Sequence, residues 1–337
     1  MNQKNLRIAV LYVSLNTFTQ KDIDTLSLRY RVVTINCASI FKIIGGIWKI
    51  FKVDCVFCWF GSLRFLPIVF VAKILGKKII IVSGGYDVAN IPEIKYGNMY
   101  GKIHRYFGQM LFKMADMVTC VSHSNTRETI ENAKVSQGKI KVIYHGFHDI
   151  PQKDKLSSVK KEKIVITVGK IDMCTIYRKG LLTIAKLSRL LPNIPFIFAG
   201  RHEEDALSLL KKECGQNVRF TGYLSEDNLA DLFMRAKVYL QPSIHEAFGC
   251  SVAEAMLYNC IPIVSDQYAL PEVVGKAGIC IKRDDLEGMA IAVKQILNDD
   301  FHSLENPRER ILHEFPINKR VQLLTEMIDN VCSSHKS

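Results

Sequence analysis

KVYLQPSIHEAFGCSVAEAMLYNCIPIVSD (237–266) reads as strand, loop, helix and strand in one run. The apolar stretches VYL and IPIV are short and bounded by turn-forming residues, and helical spacing of apolar side chains lies between them. A strand–helix–strand unit of this kind belongs to a parallel sheet. Gly249 permits close backbone approach. A helix opening there would aim the N–H groups of Phe248, Gly249, Cys250 and Ser251 at an anion, helped by the helix dipole. Glu246 precedes that helix and Glu254 lies about one turn inside it. Two carboxylates at different heights can each accept hydrogen bonds from the hydroxyls of one ligand. As an isolated pair they would equally be ordinary acidic residues favoured near a helix N-terminus.

The same alternation extends in both directions. KIVITVGK (163–170), IPFIFAG (194–200), NVRFTGY (217–223) and GICIK (278–282) are strand-like and separated by helical patterns. Upstream, LRIAVLYV (6–13), RVVTINC (31–37), VDCVFCWF (53–60), KKIIIVSGG (77–85), MVTCVS (117–122) and KIKVIYHGF (139–147) repeat the arrangement. Between the two series lies the lysine-rich PQKDKLSSVKKEK (151–163), without an aromatic residue, which reads as a connector. The expected fold is α/β, with two tandem Rossmann-like doubly wound domains, 1–150 and 163–337, facing across a cleft at the carboxyl ends of their sheets. The terminal pattern PINKRVQLLTEMIDNVC (316–332) is helical and free to pack back on the first domain.

The chain has 337 residues, 48% apolar and 23% charged, a composition that can fill two globular cores. Its net charge of +12 favours phosphate-bearing ligands or an anionic membrane surface. Nucleic acid is not an expected partner, because no zinc-finger spacing or RNP-like run occurs and the aromatics do not interleave with basic residues. GxGxxG and GxxxxGK[ST] are both absent, which disfavours dehydrogenase and P-loop readings. The ten cysteines are scattered, and the first residues read as a strand rather than a signal peptide, so a reducing cytoplasm is expected. Cys55 and Cys58, three apart in a strand, should face opposite sides and act as small hydrophobes. The apolar stretch 55–76 is broken by Arg64, Pro67 and Lys73, so no transmembrane helix is expected. No paired aspartates or histidine cluster with ligand spacing occurs in the cleft loops, and no metal is expected.

SIFKIIGGIWKIFK (39–52) forms, as a helix, a stripe of Lys42, Lys49 and Lys52 flanked by Ile, Phe and Trp. It suits an interfacial helix on anionic lipid, or an amphipathic helix packed on the sheet. Gly45-Gly46 weakens a free helix and favours the packed form.

HEAFGCSVAEAMLYNCIPIVSDQYALPEVVG (245–275) resembles the signature of retaining glycosyltransferases of the GT-B fold, family 4 or group 1: Glu, seven residues, Glu, an apolar strand and a PEV turn. ADMVTCVSHS, KIKVIYHGF, the Lys-Gly of YRKG, and NVRFTGYLSEDNLADLF are also similar to that family. The resemblance implies a retaining glycosyltransferase that moves a sugar from a nucleotide-diphosphate sugar to a glycan or lipid-linked acceptor. It implies that Glu254 binds the ribose, that Glu246 sits near the transferred sugar, and that the amides of Phe248 to Ser251 hold the diphosphate. Lys179, and Lys170 in place of the family's usual Arg, would neutralise the leaving diphosphate, while Gly222 and Tyr223 would meet the base. On the first domain, Gly84, Gly85, Tyr86 and Asp87 of SGGYD would line the cleft, with Asp87 the acceptor-side catalytic candidate and His104, His123, His145 and His148 secondary ones. The family's glycine-rich loop after the first strand is missing. Two other functions fit the same architecture: a non-catalytic nucleotide- or glycan-binding protein, and a sugar-nucleotide 2-epimerase. The expected location is cytoplasmic, with a peripheral membrane contact through 39–52.

Overall fold

In the computed structural model, which describes residues 5–151, 153–156, 158–300 and 304–333, the chain divides into two compact units. Unit one is Met1–Gly146 with Ile317–Ser337, and unit two is Phe147–Pro316.

Unit one carries β1 (Arg7–Tyr12), β2 (Arg31–Asn36), β3 (Cys55–Trp59), β4 (Lys78–Ser83), β5 (Met117–Cys120) and β6 (Ile140–Val142). They form one parallel sheet in the order β2-β1-β3-β4-β5-β6. β3 is buried along its whole length, and β4 after its first residue. That is why these strands read as continuous apolar runs rather than alternating ones. The stretch 139–147 yields only a three-residue strand, because β6 is an edge paired with the short β5 alone.

Unit two carries β7 (Glu162–Val168), β8 (Phe196–Ala199), β9 (Val218–Gly222), β10 (Ala236–Gln241), β11 (Ile261–Ser265) and β12 (Ile279–Ile281). Its parallel order is β12-β11-β10-β7-β8-β9. The winding direction reverses between β7 and β10 here, and between β1 and β3 in unit one. Open α/β sheets bind ligands at the carboxyl ends of the strands flanking such a reversal.

Polar caps set the helix starts. Asn16 accepts from the Thr19 N–H at 2.8 Å, and Ser122 from that of Asn125 at 2.9 Å. The helix Ile40–Ile50 seats on the core through Ile43, Gly46 and Ile50. A Cβ on Gly46 would stand 2.5 Å from the Ile35 side chain, so glycine is what lets this helix approach, while Gly45 faces open space. Cys58 joins the core on one face of the sheet; Cys55 is not part of that cluster and contacts Cys332 of the terminal helix.

The units part company with the sequence-drawn domains at both ends. Unit two begins at Phe147, which stacks on Phe248 at 5.9 Å and donates its N–H to the Phe315 carbonyl at 2.9 Å. The connector therefore lies within unit two and holds a short helix, Lys153–Leu156; Gln152 and Ser157 lie outside the described residues. At the other end, Ile317–Ser333, drawn within 163–337 but free to pack back on the first domain, does pack there and belongs to unit one. Arg320 on this helix meets Asp22 through two bonds, 2.6 and 2.9 Å, and also donates to the Ile143 and Tyr144 carbonyls. Trp59 Nε1 donates to the same Asp22 carboxylate at 3.0 Å. Tyr30 donates to Asp329 at 3.0 Å further along the helix.

Removing one partner of a buried pair strands the other, so Asp22→Ala should cost about 3–5 kcal/mol in denaturant unfolding. Arg29→Ala, which loses a partly solvated pair with Asp329, should cost only about 1 kcal/mol.

Candidate active site

The loops after β7 and β10 meet at the reversal point of unit two. β10 ends in Gln241, and the chain runs through Pro242 to Phe248 before the helix Cys250–Leu257. Phe248 is buried between Phe147 and Phe315 and anchors the turn. Gly249 caps the helix with φ 100°, a conformation that disfavours any side chain, and a Cβ there would also press on Leu270 at 2.8 Å. The first turn of the helix therefore opens over the site, where an N-terminus attracts anions.

The loop after β7 supplies the cations. Asp172 caps the helix Met173–Arg178 in a reciprocal capping box with Thr175. The helix delivers Arg178 and Lys179 side by side, and the Arg178 carbonyl accepts the Ile244 N–H at 2.7 Å, tying the two loops together. Arg178 Nη1 donates to Glu246 Oε1 at 2.9 Å, Gln241 Nε2 donates to the same oxygen at 3.1 Å, and Lys179 Nζ stands 3.7 Å away. Lys179 also reaches the Val168 carbonyl at 3.3 Å and Ser251 Oγ at 3.4 Å. Ser251 and Tyr239 both donate to Gln241 Oε1, at 3.0 and 2.9 Å, which fixes the amide that faces Glu246.

The electrostatics follow from this packing. Burial by itself would push the Glu246 carboxyl up, but Arg178, Lys179 and His245 outweigh it and hold the group below its ordinary value. Burial lowers the Lys179 ammonium, and Glu246 acts in the opposite sense. Glu254 is half-buried one turn into the helix, and its charge also reaches Lys179. Cys250 and Ser251 are half-buried at the helix start.

Lys170 lies apart from this cluster. It is exposed and bonded to Glu203 at 2.6 Å and Asp172 at 3.1 Å, so two carboxylates already neutralise it. It lines a separate cavity of about 330 Å³ with Arg201, Tyr223, Leu224 and Leu229. Tyr223 is exposed at the rim, with the Arg201 guanidinium 4.6 Å over its ring, and Gly222 takes φ 69° in the preceding turn. Arg178, Gln241 and Arg201 were not picked out from sequence. The Arg-Lys doublet of YRKG was the available signal for the first.

In unit one the reversal point opens into a cavity of about 380 Å³ lined by Ser14, Phe60, Arg64, Tyr86, Asp87 and His104, among others. Asp87 is buried, and its two oxygens accept the N–H groups of Gly61 at 2.8 Å, Gly85 at 2.9 Å and Gly84 at 3.1 Å. Burial outweighs these amides and pushes its carboxyl up to about 6. Its carboxylate thus clamps the SGGYD turn to the loop after β3, and Asp87, the residue expected to act on the acceptor side, also lines this cavity. Of the four histidines, His104 alone lines this cavity. His145 is buried against Phe18 at 4.5 Å, and burial with Arg320 and Lys21 nearby keeps it neutral.

Arg178→Met should leave the half-buried Glu246 without its closest cation and reduce stability at neutral pH by about 3 kcal/mol. A carboxyl held low in the folded state stabilises above its unfolded value and loses that contribution on acidification. The deficit of Arg178→Met against wild type should therefore shrink as the pH falls through the ordinary value of 4.5, in melting curves across pH.

Residues 149–312 match the family described as glycosyl transferases group 1. An uncharacterised 41.2 kDa protein of the cps region of Klebsiella pneumoniae is 28% identical over 251 residues, covering 70% of this chain and 65% of that protein. O-antigen chain mannosyltransferase B of Escherichia coli is 30% identical over 132 residues, covering 36% of this chain and 35% of that one. The chain thus spans less than two thirds of the length of these relatives. HepE of Anabaena, solved in complex with UDP and glucose, superposes over 96% of this chain and 100% of its own with TM-score 0.75 at 14% identity, a likeness of fold. Residues 149–312 thus carry the match to the group 1 glycosyl transferases, and the two units together share the fold of HepE, the GT-B architecture.

Proposed function

We propose that the chain is a retaining glycosyltransferase that moves a hexosyl unit from a nucleoside diphosphate sugar to a glycan or lipid-linked acceptor. The observation that carries this reading is the cluster of Glu246, Arg178, Lys179, Gln241 and Ser251 at the opening of the helix Cys250–Leu257. Lys179 and the amides of Phe248 to Ser251 take the diphosphate, where a cation and a helix N-terminus stabilise the charge that develops as the glycosidic bond breaks. Lys170 is a second cation at the base end of the site, released from Glu203 and Asp172 when phosphate arrives. Glu254 accepts the ribose hydroxyls, Glu246 a hydroxyl of the transferred sugar, and Gly222 with Tyr223 meets the base. The cavity of unit one, held open by Asp87, receives the acceptor. Support for the sugar chemistry comes from a relative named for O-antigen mannosyl transfer and from a structural neighbour solved with UDP and glucose. The reading assigns the charge stabilisation to protein groups and no metal ion; among the described residues no group of three His, Cys, Asp or Glu is placed to hold one. It places the enzyme in the cytoplasm, working on polysaccharide or glycoconjugate synthesis at the membrane surface through residues 39–52. Among the described residues no helix is long and apolar enough to cross a membrane.

Thermal shift against UDP, GDP, ADP and their sugars, in EDTA, should single out one nucleotide, and Glu254→Ala should abolish that shift. No shift with any nucleotide, or wild-type binding by Glu254→Ala, would sink the donor site as drawn. With the matching donor, Lys179→Ala should lower kcat about 10²–10³-fold. The product should keep the donor's anomeric configuration by NMR. Free epimerised sugar released without an acceptor would instead mark a 2-epimerase.

A further inference from the structure

Three helices of unit one, Ile40–Ile50, Leu66–Ile74 and Lys102–Met114, lie side by side, the middle one contacting both others. Their inner faces, through Ile43, Ile68, Val69, Leu111 and Phe112, enter one core cluster. Their outer faces are not polar, as the solvent side of a Rossmann layer should be. The first exposes Phe41 (82%), Ile44 (53%) and Trp48 (73%). The second exposes Phe70 and Ile74, and the third Ile103 (73%), Tyr106 (67%) and Phe107. Exposed apolar side chains on three adjoining helices mark an interaction site.

Charge says what covers it. None of the three helices contains an Asp or Glu, whereas they carry Lys42, Lys49, Lys73, Lys102, Arg105 and Lys113; of these Lys73 pairs with Asp116 at 3.4 Å, and Lys49 and Arg105 also donate to the Thr34 and Met99 carbonyls. The other long helices of unit one are mixed: Thr17–Arg29 has Asp22 and Asp24, His123–Glu131 has Glu128 and Glu131, and Ile317–Ser333 has Glu326 and Asp329. Acidic residues are thus missing from one layer, not from the unit. A second copy of this chain would set cations against cations on this face. An anionic bilayer pairs headgroup phosphates with the lysines and offers its interface to Trp and Tyr.

We propose that this three-helix layer is a docking surface for an anionic lipid bilayer, with all three helices in contact and not the 39–52 segment alone. Aromatic and aliphatic side chains enter the headgroup boundary, while the lysine stems run along the layer and leave their ammonium groups among the phosphates. The inference deepens the membrane element of the function proposed above, but needs no donor, acceptor or turnover.

The protein carries its own reporter, since of its two tryptophans Trp48 is exposed and Trp59 is buried at 2%. Adding phosphatidylglycerol vesicles to the full chain should shift Trp48 emission to the blue and shield it from iodide. Phosphatidylcholine vesicles should do neither, and raised salt should reverse the shift. Ile103→Ser/Tyr106→Ser keeps the reporter on a different helix and should weaken partition by about tenfold, with the melting temperature and nucleotide response unchanged. Unshifted emission with phosphatidylglycerol, equal partition into both lipids, or a dimer in sedimentation that shields Trp48 without lipid would each overturn the proposal. Wild-type partition by Ile103→Ser/Tyr106→Ser would overturn the three-helix surface. A vesicle response in a protein that binds no nucleotide would fault the donor site and leave this surface standing.

Discussion

Unit one depends on the buried pairing of Asp22 with Arg320. That contact draws together the helix Thr17–Arg29, Trp59 at the end of β3, the carbonyls after β6 and the last helix of the chain. A guanidinium this deeply buried is tolerable only when its donors are met, and here a carboxylate and two carbonyls meet them. The chain accordingly leaves unit one at Gly146, builds unit two and returns at Ile317. The return is electrostatic as well as apolar, since Tyr30 and Arg29 hold Asp329 two turns further along the helix.

Two carboxylates show how surroundings divide labour. Asp87 is met by backbone amides alone, whose dipoles only partly offset burial, so its proton is held more tightly and the group serves the loop it clamps. Glu246 is half-buried and faces two full positive charges, and these keep it ionised. An ionised carboxylate clasped on one oxygen by Arg178 and Gln241 is rigid before any ligand arrives. Preorganisation of this kind lets a polar group act on a ligand without first paying to rearrange.

The same separation of charge operates on the surface. Acidic residues are absent from one layer of helices in unit one while the other long helices mix signs, so the net charge of +12 is not spread evenly. Gly46 contributes by letting the helix Ile40–Ile50 sink onto β2, and that seating leaves Phe41, Ile44 and Trp48 on the far side. Of the two alternatives for 39–52, the packed helix is the one seen, with an apolar side left exposed.

Local pattern was enough for the strands, the βαβ alternation, the glycine turn at 249 and the order of Glu246 and Glu254, because period, turn chemistry and helix polarity act over a few residues. Partners distant in sequence were not legible. Arg178 reaches Glu246 across 68 positions and Arg320 reaches Asp22 across 298, and no local rule says which of many cations will fold against which carboxylate. Lys170 and Asp87 were legible as polar residues at strand ends, but whether such a group faces a ligand or is consumed by Glu203 or by glycine amides depends on neighbouring loops. The sequence by itself determined two doubly wound sheets and the loop that opens a helix at Gly249. Only the tertiary structure decided where each unit ends and which charges are paired, because burial and pairing exist only once the sheets bring distant loops together.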